Sequence, residues 1–94
     1  MYSIEYRRSA LKEIKKLDRA YRKEIVSHIE NCAKRPYEAG FLKGDLSGYL
    51  SCNFSFKGTG YRIIYSVNEA TKTITIEMVG TRENIYKKLK KRLQ

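Results

Sequence analysis

The sequence predicts an α+β fold: an antiparallel meander sheet, an N-terminal helical hairpin on one face and a basic C-terminal helix, in the order β-α-α-β-β-β-α. Three observations predict it. Apolar residues recur at helical spacing between Ser9 and Cys32, then at period two from Tyr49 onward. Gly60–Val67 carries apolar residues on both of its alternating sides, as a strand covered on both faces must. A run of lysines with an apolar edge closes the chain.

The elements follow in order. Tyr2–Tyr6 reads as a short strand with Tyr2, Ile4 and Tyr6 inward. Ser9 is a candidate N-cap for a helix whose stripe is Leu11, Ile14 and Leu17. Asp18 caps a second helix, with Tyr21, Ile25, His28, Ile29 and Cys32 as its stripe. The second helix stops at Pro36, because the residue before a proline is pushed out of the α region. Gly40, Gly44 and Gly48 punctuate a loop from Pro36 to Gly48, within which Phe41, Leu42 and Leu46 are expected on the core.

Leu50, Cys52, Phe54 and Phe56 then alternate with Ser51, Asn53, Ser55 and Lys57. Lys57-Gly58-Thr59-Gly60 reads as a hairpin turn into the central strand, and Asn68-Glu69-Ala70-Thr71 as the next turn. Ile74, Ile76 and Met78 alternate with Thr73, Thr75 and Glu77 in a last strand ending at Val79-Gly80. Glu83–Leu93 is helical by composition, with Ile85, Tyr86, Leu89 and Leu93 as its apolar edge and Lys87, Lys88, Lys90, Lys91 and Arg92 around it.

Ninety-four residues are expected to form one domain, 1–94. No stretch approaches the roughly 18 apolar residues of a membrane span. Met1–Tyr6 alternates instead of running apolar, so no signal peptide and a cytoplasmic location are expected. Cys32 and Cys52 lack metal-ligand spacing and read as small buried hydrophobes, with a disulfide as the lesser alternative. His28, the only histidine, lies at the edge of an apolar stripe and reads as structural.

The net charge of +10 points to a polyanionic partner, nucleic acid or an acidic protein segment. Residues 1–47 carry 11 basic and 7 acidic side chains, and residues 48–94 carry 9 and 3, so the second half is the stronger anion-binding candidate. There is no phosphate-cradling glycine loop, cluster of metal ligands or supported serine nucleophile. An enzyme built from this chain works with Arg, Lys and Tyr.

That set suits RNA cleavage by attack of the ribose 2′-OH on its own phosphodiester. The reaction needs in-line alignment, positive charge around the phosphorane and proton transfer at both ends. Arg62 lies mid-strand and is either paired inside, snorkelling from a strand end, or open to an anion in a cleft. Arg82 follows the last strand, and Tyr86 shares its face if the helix has begun at Arg82.

Gly60-Tyr61-Arg62-Ile63-Ile64-Tyr65-Ser66-Val67, followed by Val79-Gly80-Thr81-Arg82-Glu83-Asn84-Ile85-Tyr86, resembles the RelE branch of the RelE/ParE superfamily of bacterial toxins. The resemblance extends to Tyr2–Tyr6, Leu17-Asp18, Pro36-Tyr37, Leu46-Ser47-Gly48 and Lys91-Arg92-Leu93. It implies a type II toxin that cleaves mRNA in the ribosomal A site without a cofactor and is silenced by a cognate antitoxin. It gives Arg62 the role of stabilising the phosphorane, Arg82 that of the post-strand arginine, and Tyr86 that of stacking on a base or acting as general base. Lys57, Lys87, Lys90 and Lys91 are the expected RNA-binding cations. RelE-type nucleases commonly place further lysines or arginines on the strand before the arginine strand. Here that strand offers Asn53 and Ser55, with Lys57 only at its end, which implies a poorer phosphate cage or a displaced Lys57. The competing readings are a ParE-like inhibitor of DNA gyrase and a non-catalytic basic RNA-binding domain.

Overall fold

The Arg62 strand is the middle of its sheet. In the computed structural model, which describes residues 1–83 (of Asp45, the backbone only) with Ile85, Lys87, Lys88 and Lys91, five strands lie in the order β1-β5-β4-β3-β2. They are β1 Ser3–Tyr6, β2 Gly40–Phe41, β3 Leu50–Phe56, β4 Thr59–Asn68 and β5 Thr73–Thr81. β3, β4 and β5 form the expected antiparallel meander. To this β1 adds in parallel along β5, with Ile4 opposite Ile74, and β2 adds a two-residue edge against Leu50 and Ser51.

Helices α1, Arg8–Lys15, and α2, Arg19–Lys34, cover one face, α1 against β5 and α2 against β3. Ser9 is not the N-cap. The helix already begins at Arg8, with Arg7 as the extended cap residue, so Ser9 lies inside the first turn. The buried stripe of α1 is Ala10 and Ile14, continued by Leu17, whereas Leu11 points off that face and is exposed. Asp18 does occupy the cap position of α2, though its side chain makes no capping bond. Ile25, Ile29 and Cys32 meet Ile63, Tyr65, Ile74 and Ile76 in the main core. Tyr2 and Ile4 pack against that core, while Tyr6, at the end of an edge strand, is 36% exposed.

The other face carries a smaller cluster of Leu46, Ile64, Met78 and Ile85, flanked by Leu42 and Tyr49. Phe41 is not part of it: at 58% exposure it stacks on Tyr37, 6.2 Å between ring centres. Gly80 lies so close beneath Ile85 that a Cβ there would come 3.0 Å from the Ile85 Cδ1. Among the C-terminal residues described, Ile85, Lys87, Lys88 and Lys91 are helical.

Met78 departs from the expected alternation with Ile74 and Ile76. Tyr65 pairs with Ile76 and Ile64 with Met78, so Glu77 is an extra residue on β5. This bulge sends Met78 to the opposite face from Ile76. Glu77 accepts from Arg7 Nε at 3.0 Å and from Ser66 Oγ at 3.3 Å.

Glu69, in the turn after β4, ties two distant segments to its own turn. Tyr2 and Tyr37 donate their hydroxyls to its Oε1 at 2.5 and 2.6 Å, and Lys72 Nζ donates to Oε2 at 2.6 Å. These bonds, that of Lys72 first, hold the Glu69 carboxyl at about 2, and the bond to Glu69 is the main reason the Tyr37 phenol is pushed up to about 12. The phenol is protonated more firmly in the fold, so its contribution is complete below its ordinary value of 10.0 and is lost as pH rises through about 12. The carboxylate contribution is present above the ordinary 4.5 and is lost as pH falls through about 2. In ¹³Cζ-tyrosine NMR, Tyr37 is expected to ionise near 12, and near its ordinary value in Glu69→Gln. An identical Tyr37 titration in both proteins would break this account.

Candidate functional site

The hairpin turn sets the site. Lys57 (φ 51°) and Gly58 (φ 79°) are both left-handed, as the two central residues of a type I′ turn require. The turn is therefore two residues, narrower than the four expected, and Phe56 faces Thr59. The ladder then runs Ser55–Gly60, Asn53–Arg62 and Ser51–Ile64. A slip of one residue would carry Arg62 to the helix-covered face.

Arg62 Nη1 donates to Asn53 Oδ1 at 2.8 Å. The same oxygen accepts the hydroxyl of Ser51 at 2.7 Å. Of the fates open to Arg62 in the sequence, part of its donor set is thus paired, with a neutral acceptor on the neighbouring strand. On its other flank Arg62 faces Gly80 of β5.

Arg82 reaches the same strip from beyond β5. Its backbone N–H donates to Gly60 O at 3.1 Å, which prolongs the β4–β5 ladder past Thr81. Its side chain lies across Gly60, where a Cβ would come within 3.3 Å of the Arg82 Cδ. Gly60 thus matters for the space above it. Asn53, Ser55, Gly60, Tyr61 and Arg82 line a cleft of about 200 Å³. Asn53 therefore touches Arg62 on one side and shares a cleft with Arg82 on the other.

The other predicted residues divide. Lys57 is at the turn, but its Nζ lies over the rings of Tyr21 and Phe56, at 5.6 and 5.4 Å, rather than beside Arg62. Lys87 and Lys91 are exposed on the C-terminal helix. Tyr86 and Lys90 lie outside the described residues. The sequence did not single out Gly60 as a seat for Arg82, nor Ser51 as a partner of Asn53. Only the polar alternation Ser51-Asn53-Ser55 opposite the arginine strand signalled the latter.

His28 and the cysteines lie outside this strip. A cleft of about 360 Å³ between α2 and β3 is lined by His28, Cys32, Cys52 and Asn53. His28 stacks on Phe54 with ring centres 4.0 Å apart, and its Nε2 is 3.1 Å from Glu24 Oε1. Both cysteines are free thiols. Hydrogen bonding between them pushes Cys32 up and Cys52 down, with burial adding to the rise at Cys32. Among the described residues, no group of His, Cys, Asp or Glu is arranged to hold a metal ion, and no helix is long and apolar enough to cross a membrane.

Residues 4–90 match the family described as ParE-like toxin of type II bacterial toxin–antitoxin systems. The chain belongs to that family. A protein of Escherichia coli described as a RelE-like toxin is 29% identical over 83 residues, covering 87% of this chain and 84% of that protein. A doubly substituted variant of the E. coli toxin RelE in the free state superposes with a TM-score of 0.77 at 25% identity, over 99% of this chain and 98% of that one. The toxin in the intact E. coli RelBE toxin–antitoxin complex superposes at 0.72 with 24% identity, over 86% and 96%. Within the RelE/ParE superfamily this chain is RelE-like.

Proposed function

We propose that this RelE-like toxin is an endoribonuclease that cleaves mRNA, in the ribosomal A site, without a metal ion. The observation that carries the reading is that Asn53, which accepts from Arg62, lines one cleft with Arg82. Two guanidiniums meeting one phosphate would offer it bidentate donors and stabilise the charge that grows on its oxygens in the transition state. In the reaction the ribose 2′-oxygen bonds to phosphorus as the 5′-oxygen leaves. The products are a 2′,3′-cyclic phosphate and a 5′-hydroxyl, with one proton removed from the nucleophile and one given to the leaving group.

Neither guanidinium can serve as the base, since Arg stays protonated. Tyr86 is proposed for that transfer or for stacking on a base, and the exposed Lys87 and Lys91, with Lys57 and Lys90, for contacts to the RNA backbone. The partner proposed is a cognate antitoxin with an acidic or amphipathic segment. Structural relatives in toxin–antitoxin complexes and the charge of +10 support it.

The test is single-turnover cleavage on programmed ribosomes with chelator present. Wild-type protein should cut the A-site codon. Tyr86→Phe separates the two roles: a loss of about 100-fold or more with unchanged binding identifies proton transfer, whereas near-wild-type Phe with a severe Ala identifies stacking. Folded wild-type protein that leaves mRNA intact and inhibits gyrase supercoiling would replace this reading with the gyrase-inhibitor one.

A further inference from the structure

We propose that Asn53, itself set by Ser51, is a positioning residue for Arg62, so that on this strand a neutral amide does the orienting. The inference rests on the ribonuclease reading above for its kinetics, but not for its geometry.

The oxygen of Asn53 is identified by its neighbours. Arginine has no acceptor, so the Asn53 atom 2.8 Å from Arg62 Nη1 is Oδ1 and not the amino nitrogen. Ser51 fills the second lone pair of that oxygen at 2.7 Å. Because Arg62 can only donate, the amide cannot flip without setting its amino group against the guanidinium. Ser51 is the only polar residue in the buried set of the described residues, 6% exposed, on the part of β3 that the short strand β2 borders. Its bond to Asn53 is thus sheltered from water at the Ser51 end.

Two consequences follow for the site. A guanidinium is a rigid planar fork, so one bond at Nη1 limits the plane in which Arg62 meets a phosphate. The Asn53 amino group, on the opposite branch from Oδ1, is an N–H donor on a residue that lines the cleft shared with Arg82. A lysine at this position would repel Arg62 where Asn53 accepts from it. The polar residues of β3 thus trade a charge for a fixed arginine.

The experiment pairs arginine side-chain NMR with single-turnover cleavage, using Asn53→Leu, Asn53→Asp and Ser51→Ala. Leu keeps the size and removes the acceptor; Asp keeps the acceptor and adds charge. The Arg62 Nη resonances should be resolved by slow rotation in wild type and Asn53→Asp, and averaged in Asn53→Leu. At saturating ribosomes Asn53→Leu should slow cleavage about 10- to 100-fold with less than about threefold change in the half-saturating concentration, as misorientation predicts. Ser51→Ala should produce a partial version of both changes, and it decides the matter if Asn53→Leu does not fold. Arg62 resonances that are the same in wild type and in the acceptor-free variant overturn the proposal, as does a saturating rate within about twofold of wild type. Wild-type protein that does not cleave leaves the NMR comparison to stand alone, so the two readings fail separately.

Discussion

Arg62→Ala is expected to slow single-turnover cleavage by about 30- to 1,000-fold, equivalent to about 2–4 kcal/mol of transition-state stabilisation. Arg82→Ala should cost a similar amount. Arg62 is held on the sheet by its bond to Asn53, and Arg82 is anchored to it by its backbone bond to Gly60 and by its side-chain stem, which passes over that glycine. Such preorganisation means that little reorganisation is required as charge develops. On the proposal that both act on one phosphate, the double variant should lose less than the product of the single losses. The measurement is the single-turnover rate at saturating ribosomes, with folding checked by circular dichroism. A folded Arg62→Ala within about threefold of wild type would remove Arg62 from the chemistry.

Ile64→Ala is expected to destabilise the protein by about 2–5 kcal/mol, as removal of a fully buried branched side chain does. Ile64 lies two residues beyond Arg62 on the same strand and is wholly buried, with Met78, Ile85 and Leu46 around it. That cluster is small, so few neighbours exist to collapse into the space left. The loss would be a large share of the roughly 5–15 kcal/mol that holds a domain of ordinary stability together. Urea unfolding should report it as a lower midpoint with an unchanged slope. A loss below about 1 kcal/mol would mean that this face of the sheet is not packed as described.

Much of the architecture was legible because its causes are local. Periodicity of 3.6 or 2 separates helix from strand within a dozen residues, and Gly60–Val67 is apolar on both sides because it is in fact covered on both. The start of α1 was read less well than that of α2: Ser9 is a good cap type, but the cap lies two residues earlier, at Arg7, where the chain leaves β1. Phe41 illustrates the same limit. Its side chain is apolar enough for the core, but the two-residue edge strand that holds it leaves it exposed and stacked on Tyr37.

By itself the sequence determined the alternation that puts Arg62 and Ile64 on one side of a strand, a hairpin turn within Lys57-Gly58-Thr59-Gly60, and the arginine just past the last strand. Tertiary structure decided what those residues meet. A four-residue turn would set Ser55 opposite Arg62; the two-residue turn sets Asn53 there, and with it the bond that orients the guanidinium. The bulge at Glu77 decided that Met78 joins Ile64 rather than Ile76, and strand pairing decided that Arg82 crosses Gly60. The physical reason is register. Side-chain periodicity is a property of one strand, but the partner across a ladder depends on turn length and bulges, and a change of one or two residues there exchanges one neighbour for another without altering the pattern of either strand.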